Sequence, residues 1–312
     1  MPWRLARASA SEPLPERPAC WADDFTFPDF ADFRAAARPL IRTCLVSAEG
    51  YGRAAGAVFA DLVAQNTRYV ELSFDGDLVL SRGLAVPDVV AAMKAAAPPG
   101  LVVRVLGAFS YHRREAWTPA AARLLLDADG LDGIDLHGDE REGGTEHFAD
   151  AFAEARRRGL ITRAHAGELM GAASVRAALD ALGVARLAHG VRSVEDDGLV
   201  KRLATEGVTL DVCPWSNVKL RVAPSLAAHP IGVLRDRGVR LTVSTDDPTI
   251  FGRSLTDELL SLITALRWPA AEVARVQRTA FEVAARLEPA VRARLLDEIA
   301  GVLDSHLTGG SP

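Results

Sequence analysis

The residues best placed to do chemistry lie in Arg163-Ala164-His165-Ala166-Gly167-Glu168, directly after the apolar pair Leu160-Ile161. A short β-prone run ends in an imidazole, passes two small residues and then offers a carboxylate. A lone His at a strand end is more often a hydrogen-bonded structural residue than a ligand, but Glu168 changes that reading. A carboxylate at a strand mouth is costly to desolvate unless it is paired or used. Beside a metal-activated water it is placed for general acid or base work.

Other strand ends carry similar groups. His189-Gly190 closes the next apolar run, where the His is either a cap near a turn or part of the same site. Gly190 lets the backbone turn without a side chain protruding. Asp246-Asp247-Pro248 follows Val239–Ser244. The bland reading is an Asx-turn or helix cap before Pro248. Against it, adjacent carboxylates repel unless something positive sits beside them, and a divalent cation would serve. Alternation along the strand would aim one Asp at the interior and the other at the rim. In His137-Gly138-Asp139-Glu140 the Gly permits close approach to a flat ligand, while the two acids are compatible with simple solvation. Cys213 reads as a small buried apolar residue, Asp211 as structural, and His112, His147, His229 and His306 as surface residues.

These groups recur because the elements beneath them recur. From Arg68 onward, strand-like runs alternate with helix-like ones: strands over 68–74, 101–107, 131–136, 160–165, 186–189, 208–212 and 239–244. The intervening helices are long enough for right-handed β-α-β crossovers. Upstream, Pro2–Ala10 and Tyr51–Gln65 read as helices, and the Phe-rich 25–33 stretch as a helix start packing its rings inward. The alternation predicts an α/β fold, a parallel (β/α)8 TIM-type barrel, with a doubly wound open sheet as the alternative. Polar residues at nearly every strand end favour the barrel, whose strand C-termini converge on one face. Seven strands are legible, and the absent one would be the first.

Composition bounds the function. The chain has 312 residues, a formal net charge of −5, 49% apolar and 25% charged residues. Acids and bases are interspersed with no basic tract, so nucleic-acid binding by charge is not expected. No apolar run approaches the ~20 residues of a membrane span. Cys20, Cys44 and Cys213 are too few and scattered for a disulfide framework, as suits a reducing cytoplasm. No linker divides the chain, so a single domain over 1–312 is expected, with residues 1–24 irregular.

Taken together, six segments carry a resemblance: Tyr69-Val70-Glu71, Asp135–Glu140, His165-Ala166-Gly167-Glu168, His189-Gly190, Cys213–Asn217 and Ser244–Pro248. In this order and at strand ends they resemble the adenosine deaminase family of metal-dependent aminohydrolases, from about Phe25 to the last helices. The resemblance implies a (β/α)8 barrel and zinc-dependent deamination of adenosine or a related 6-aminopurine nucleoside to the 6-oxo product and ammonia. It implies His165 and Asp246 as zinc ligands. Glu168 would be the acid that protonates a ring nitrogen, and His189 the residue that orients and deprotonates the attacking water. It implies Asp247 and Gly138 as substrate contacts, to the imidazole-side nitrogen and the opposite ring nitrogen.

One departure stands out. The resemblance also implies a first strand carrying His-x-His, which supplies two further zinc ligands, and no His-x-His occurs here. Pro2–Ala8 resembles the helix that follows that strand. The expectation is a recorded start internal to the native protein. The alternatives are altered or metal-free chemistry, or a relative that binds a purine without turnover and with an incomplete zinc site. A barrel of seven strands would leave two free edges facing a gap, which favours self-association.

Overall fold

The computed structural model describes the backbone of residues 2–10 and 13–308, and side chains through residue 301; the His306 side chain lies outside the described residues. Eight β segments follow the Val/Ile/Leu-rich runs: Tyr69–Asp75 (β1), Val102–Ser110 (β2), Gly133–His137 (β3), Ile161–Thr162 (β4), Ala164–Ala166 (β5), Arg186–His189 (β6), Thr209–Val212 (β7) and Arg240–Val243 (β8). They pair in chain order, β1-β2-β3-β4 and β5-β6-β7-β8, always parallel. β4 and β5 part only at Arg163, and hydrogen bonding to β3 runs through that residue. The Arg163 N–H donates to the Ile134 carbonyl at 3.1 Å, and its carbonyl accepts from the Leu136 N–H at 3.2 Å. β4 and β5 are thus halves of the one strand expected over 160–165, and seven strands are present among the described residues.

The helices pack against this parallel layer. They begin where the local chemistry says they should. Ser47 accepts from the Gly50 N–H ahead of Ala48–Ala64, Thr118 from the Ala121 N–H ahead of Pro119–Leu126, and Asp196 from the Leu199 N–H ahead of Asp197–Glu206. Between strands and helices sits the main core, with Phe109, Ile134, Leu136, Leu187 and Leu210 fully buried against Leu125, Phe152, Leu182, Leu203 and Leu234. Burying each such side chain is worth about 1.5–3 kcal/mol.

Three differences from expectation have local causes. Pro214–Lys219 is a short helix where 213–217 reads as a strand-end turn, because Pro suits the first helical position, as it does in the short helix Pro248–Phe251. The helix expected over 269–287 stops at Val283, where Ala284 turns extended. The Phe-rich segment is helical only from Phe30 to Ala36. Its rings form a second cluster with Phe251, on which Phe33 stacks at 5.2 Å, and this cluster covers part of the strand C-terminal end.

Inward-facing residues follow the period of 2. Glu71, Asp135, Arg163, Arg186, Asp211 and Thr242 form an inner layer, and Ser73, His137, His165 and Cys213 a layer nearer the mouth. No described segment pairs with the outer edge of β1 or of β8. A cavity of about 1260 Å³ opens at the mouth and extends between those edges, walled by Val70, Leu72, Val243, Val58 and Val276. No helix of the described residues is long and apolar enough to cross a membrane.

Candidate active site

Three strands bring the sequence-predicted groups together at the mouth. His165 lies in β5, His189 ends β6, and Asp246 follows β8; one ligand atom from each lies within 4.8 Å of the others. The imidazoles of His165 and His189 are 5.3 Å apart. His189 Nε2 is 3.6 Å from Glu168 Oε1 and 3.9 Å from Asp246 Oδ2. Too long for hydrogen bonds, these distances leave room for an atom between the three groups. Gly138 and Asp247 line the same cavity. Gly138 has φ +92°, and a Cβ there would lie 2.8 Å from His112 Nδ1, so Gly is required on both counts.

The backbone at the mouth is strained where it presents these groups. His189 (φ +62°) and Asp246 (φ +53°) both adopt the left-handed conformation. For residues with a Cβ this costs about 1–3 kcal/mol, and such residues cluster at functional sites. The turn at Asp246 also explains why the alternation argument fails beyond β8. The strand has already ended, and both Asp246 and Asp247 reach the cavity instead of one facing the rim.

Electrostatics separate the roles. Burial pushes the Glu168 carboxyl well above the usual range, and Asp246 and Glu140 push it further. The carboxyl is thereby biased towards its protonated form, and its Oε1 has no hydrogen-bond partner. Asp247 is open to the cavity but ringed by protein; that enclosure, with Asp246 beside it, brings it up to about 7. Burial pulls His189 down to about 4, so its ring is neutral. His165 is also desolvated, but the Asp135 carboxylate outweighs that and raises it. His165 Nδ1 faces the Leu136 carbonyl at 3.1 Å and Asp135 Oδ1 at 3.3 Å. Its other nitrogen is left for a ligand role, the usual arrangement behind a metal-bound imidazole.

Several supporting residues have roles that the sequence did not assign. Glu140, compatible with a solvated acid, is buried. Its carboxylate accepts from the N–H groups of Gly167, Glu168 and Leu169 and from the Ser174 hydroxyl, at 2.7–3.0 Å. It holds the turn that carries Glu168. Ser216 donates to Asp246 Oδ2 at 2.6 Å, and Asn217 reaches His189. His229, expected on the surface, is buried and bonded to Asn217. The available signal was His229-Pro230 directly ahead of a helix, where unpaired N–H groups attract an acceptor. His112 is half-buried beside Gly138 rather than on the surface, while His147 is exposed as expected. Cys213 is buried as expected.

Beneath the mouth lies a different cluster. Arg163 bonds Asp135 at 2.7 Å; Arg186 bonds Glu71 at 2.6 Å and Asp211 at 2.7 Å; Thr242 donates to Asp211 at 2.6 Å. Glu71 and Asp211 thus serve the barrel interior and not the mouth. On the far side of the site, the buried Lys219 ammonium donates to the carbonyls of Cys20 and Ala22, clasping the N-terminal segment.

The arrangement matches known proteins. The family model described as adenosine deaminase matches residues 4–302. An adenine deaminase of Sinorhizobium medicae (strain WSM419) is 39% identical over 286 residues, covering 88% of this chain and 85% of that protein. The crystal structure of an adenine deaminase from Arthrobacter aurescens superposes with a TM-score of 0.82 at 28% identity, covering 90% of this chain and 87% of that one. A zinc-bound amidohydrolase from Burkhoderia ambifaria shares the fold with a TM-score of 0.79 at 24% identity, covering 97% of this chain and 88% of that one.

Proposed function

Because the chain belongs to the adenosine deaminase family and has the fold of TIM-barrel amidohydrolases, we propose that this deaminase-type hydrolase removes the 6-amino group of a 6-aminopurine, with adenine itself the leading substrate. Water adds at C6, ammonia leaves, and the 6-oxo purine remains. The expectation from sequence alone named the nucleoside adenosine. The relatives named adenine deaminase support the free base over it.

The observation that carries the reading is the convergence of Glu168, its Oε1 unpartnered, with His189, His165 and Asp246 around one small space. Glu168 supplies a proton to a ring nitrogen, which makes C6 electron-poor and stabilises the tetrahedral adduct. His189 faces the side from which water adds. Gly138 and Asp247 take the two edges of the heterocycle, Asp247 on the side of the imidazole ring nitrogen. His165 and Asp246 offer the imidazole and carboxylate donors that zinc takes, and the free His165 nitrogen and the Ser216-held Asp246 carboxylate fit such an ion. When bound, zinc lowers the pKa of water towards neutrality and supplies the nucleophile.

The test is ammonia release from adenine, adenosine and deoxyadenosine by purified protein, with metal content measured in parallel. Release from adenine above the other two, lost on chelation and regained with zinc, supports the reading. No release from any aminopurine overturns it. A non-catalytic purine binder is the second reading, favoured by the edges of β1 and β8 beside the site, with which no described segment pairs. It requires saturable purine binding without turnover.

A further inference from the structure

His189 does not stand alone. Its Nδ1 accepts from the Asn217 side-chain amide at 3.2 Å. The carbonyl oxygen of that amide accepts from His229 Nε2–H at 3.1 Å. His229 Nδ1 in turn accepts from the backbone N–H of Ile231 at 3.1 Å. All three side chains are buried, with exposures of 1%, 0% and 4% for His189, Asn217 and His229.

The direction of this chain is set at one end by a group that cannot change. A backbone N–H is always a donor. His229 Nδ1 must therefore be an acceptor, so a neutral His229 carries its proton on Nε2. That proton needs an acceptor, so the Asn217 carbonyl oxygen faces His229 and its NH₂ faces His189. The NH₂ group can only donate, so His189 Nδ1 must accept, and the ring proton of His189 sits on Nε2. Turning Asn217 over would set its NH₂ against the His229 Nε2–H. Moving that proton to His229 Nδ1 would set it against the Ile231 N–H. Each alternative leaves a buried donor facing a donor, at a cost of about 1–3 kcal/mol.

We infer that Asn217 and His229 are positioning residues: together with the Ile231 N–H they lock His189 in its Nε2–H tautomer. His189 thus presents a hydrogen, not a lone pair, to the space between Glu168 and Asp246. It acts there as a fixed hydrogen-bond donor that orients the attacking oxygen and stabilises the charge that develops on it. The deprotonating role expected for His189 needs the opposite tautomer, which the relay opposes. The same lock keeps His189 Nε2 from serving as a metal ligand, although it lies within reach of the other two. This inference rests on the deaminase reading for its consequence in turnover, but the tautomer can be read without turnover.

The experiment is long-range ¹H–¹⁵N correlation spectroscopy on the full chain, metal-free and labelled with ¹⁵N-histidine. His229→Gln and His189→Gln assign the two rings. The expected result is the Nε2–H pattern for both rings at neutral pH. An Nδ1–H or doubly protonated His189 overturns the inference. In Asn217→Asp the side chain keeps its shape but can only accept. It leaves His229 unchanged and should turn His189 to Nδ1–H, with kcat down about 10²–10³-fold as for a lost oxyanion donor and KM little changed. Asn217→Asp with a wild-type His189 pattern, or with kcat unchanged, also overturns it. Should no aminopurine be turned over while both rings show Nε2–H, the deaminase reading fails and the relay stands.

Discussion

The barrel holds two sets of acids, one buried in its interior and one above it at the mouth, and they meet opposite fates. In the lower layer Glu71, Asp135 and Asp211 share two guanidinium groups, Arg163 and Arg186, with ion-pair distances down to 2.6 Å. In the upper layer Glu168, Asp246 and Asp247 form no ion pair with lysine or arginine among the described residues. The contrast teaches how similar chemistry is assigned to structure or to function. Where arginine accompanies the acid, charge is neutralised inside the chain. Where it does not, the acids are shifted towards their protonated forms, as Glu168 and Asp247 are, or hold a place for a cation. Asp135 belongs to both layers: Oδ2 faces Arg163 and Oδ1 faces His165.

If the contrast is right, the two layers should break differently. The largest effect is expected from Glu168→Gln, which keeps the shape and removes the transferable proton. It should lower kcat by about 10²–10⁴-fold with no loss of thermal stability, as ammonia release and a melting curve together would show. Arg186→Met should do the reverse. It leaves Glu71 and Asp211 short of a partner, costing about 3–5 kcal/mol in urea unfolding, while kcat per folded molecule stays close to wild type. A large fall in kcat without destabilisation would erase the distinction between the layers.

Glu140→Gln tests the boundary. The new NH₂ would face the Gly167 N–H and the Ser174 hydroxyl. The Glu168 turn should shift, lowering kcat by up to about 10²-fold, with Glu140→Asp recovering part of it. The smallest effect concerns Asp77, a buried acid outside both layers, raised to about 7 by burial and by Asp75. Its folded form keeps a proton that the unfolded chain releases near 3.8. The stability tied to that proton is therefore present at low pH and is lost as pH rises to about 7. Asp77→Asn should flatten that decline, seen as a smaller difference in Tm between pH 5 and pH 8.

The upper layer was largely legible before the structure, and the lower one was not. His165, Glu168, His189, Asp246 and Asp247 announce themselves because polar residues closing apolar runs are out of place unless used. The strands were legible for a related reason, since runs such as Leu101–Gly107 and Val239–Ser244 leave little choice. The supports were not. Glu140 meets Gly167 across 27 residues of chain, and Asn217 meets His189 across 28. Such partners are chosen by tertiary geometry and leave no local pattern. His229 read as a surface residue from its loop-to-helix context, which marks a capping position but not the Asn217 side chain packed against it.

The short helix Pro214–Lys219 has a consequence of its own. Within six residues it anchors the Asp246 carboxylate through Ser216, the His189 ring through Asn217, and the carbonyls of Cys20 and Ala22 through Lys219. It works as a keystone: one peg holds the N-terminal segment and two working side chains at the same time. Loosening residues 19–27 therefore loosens the imidazole and the carboxylate as one unit, and amide exchange at all three places should quicken in step.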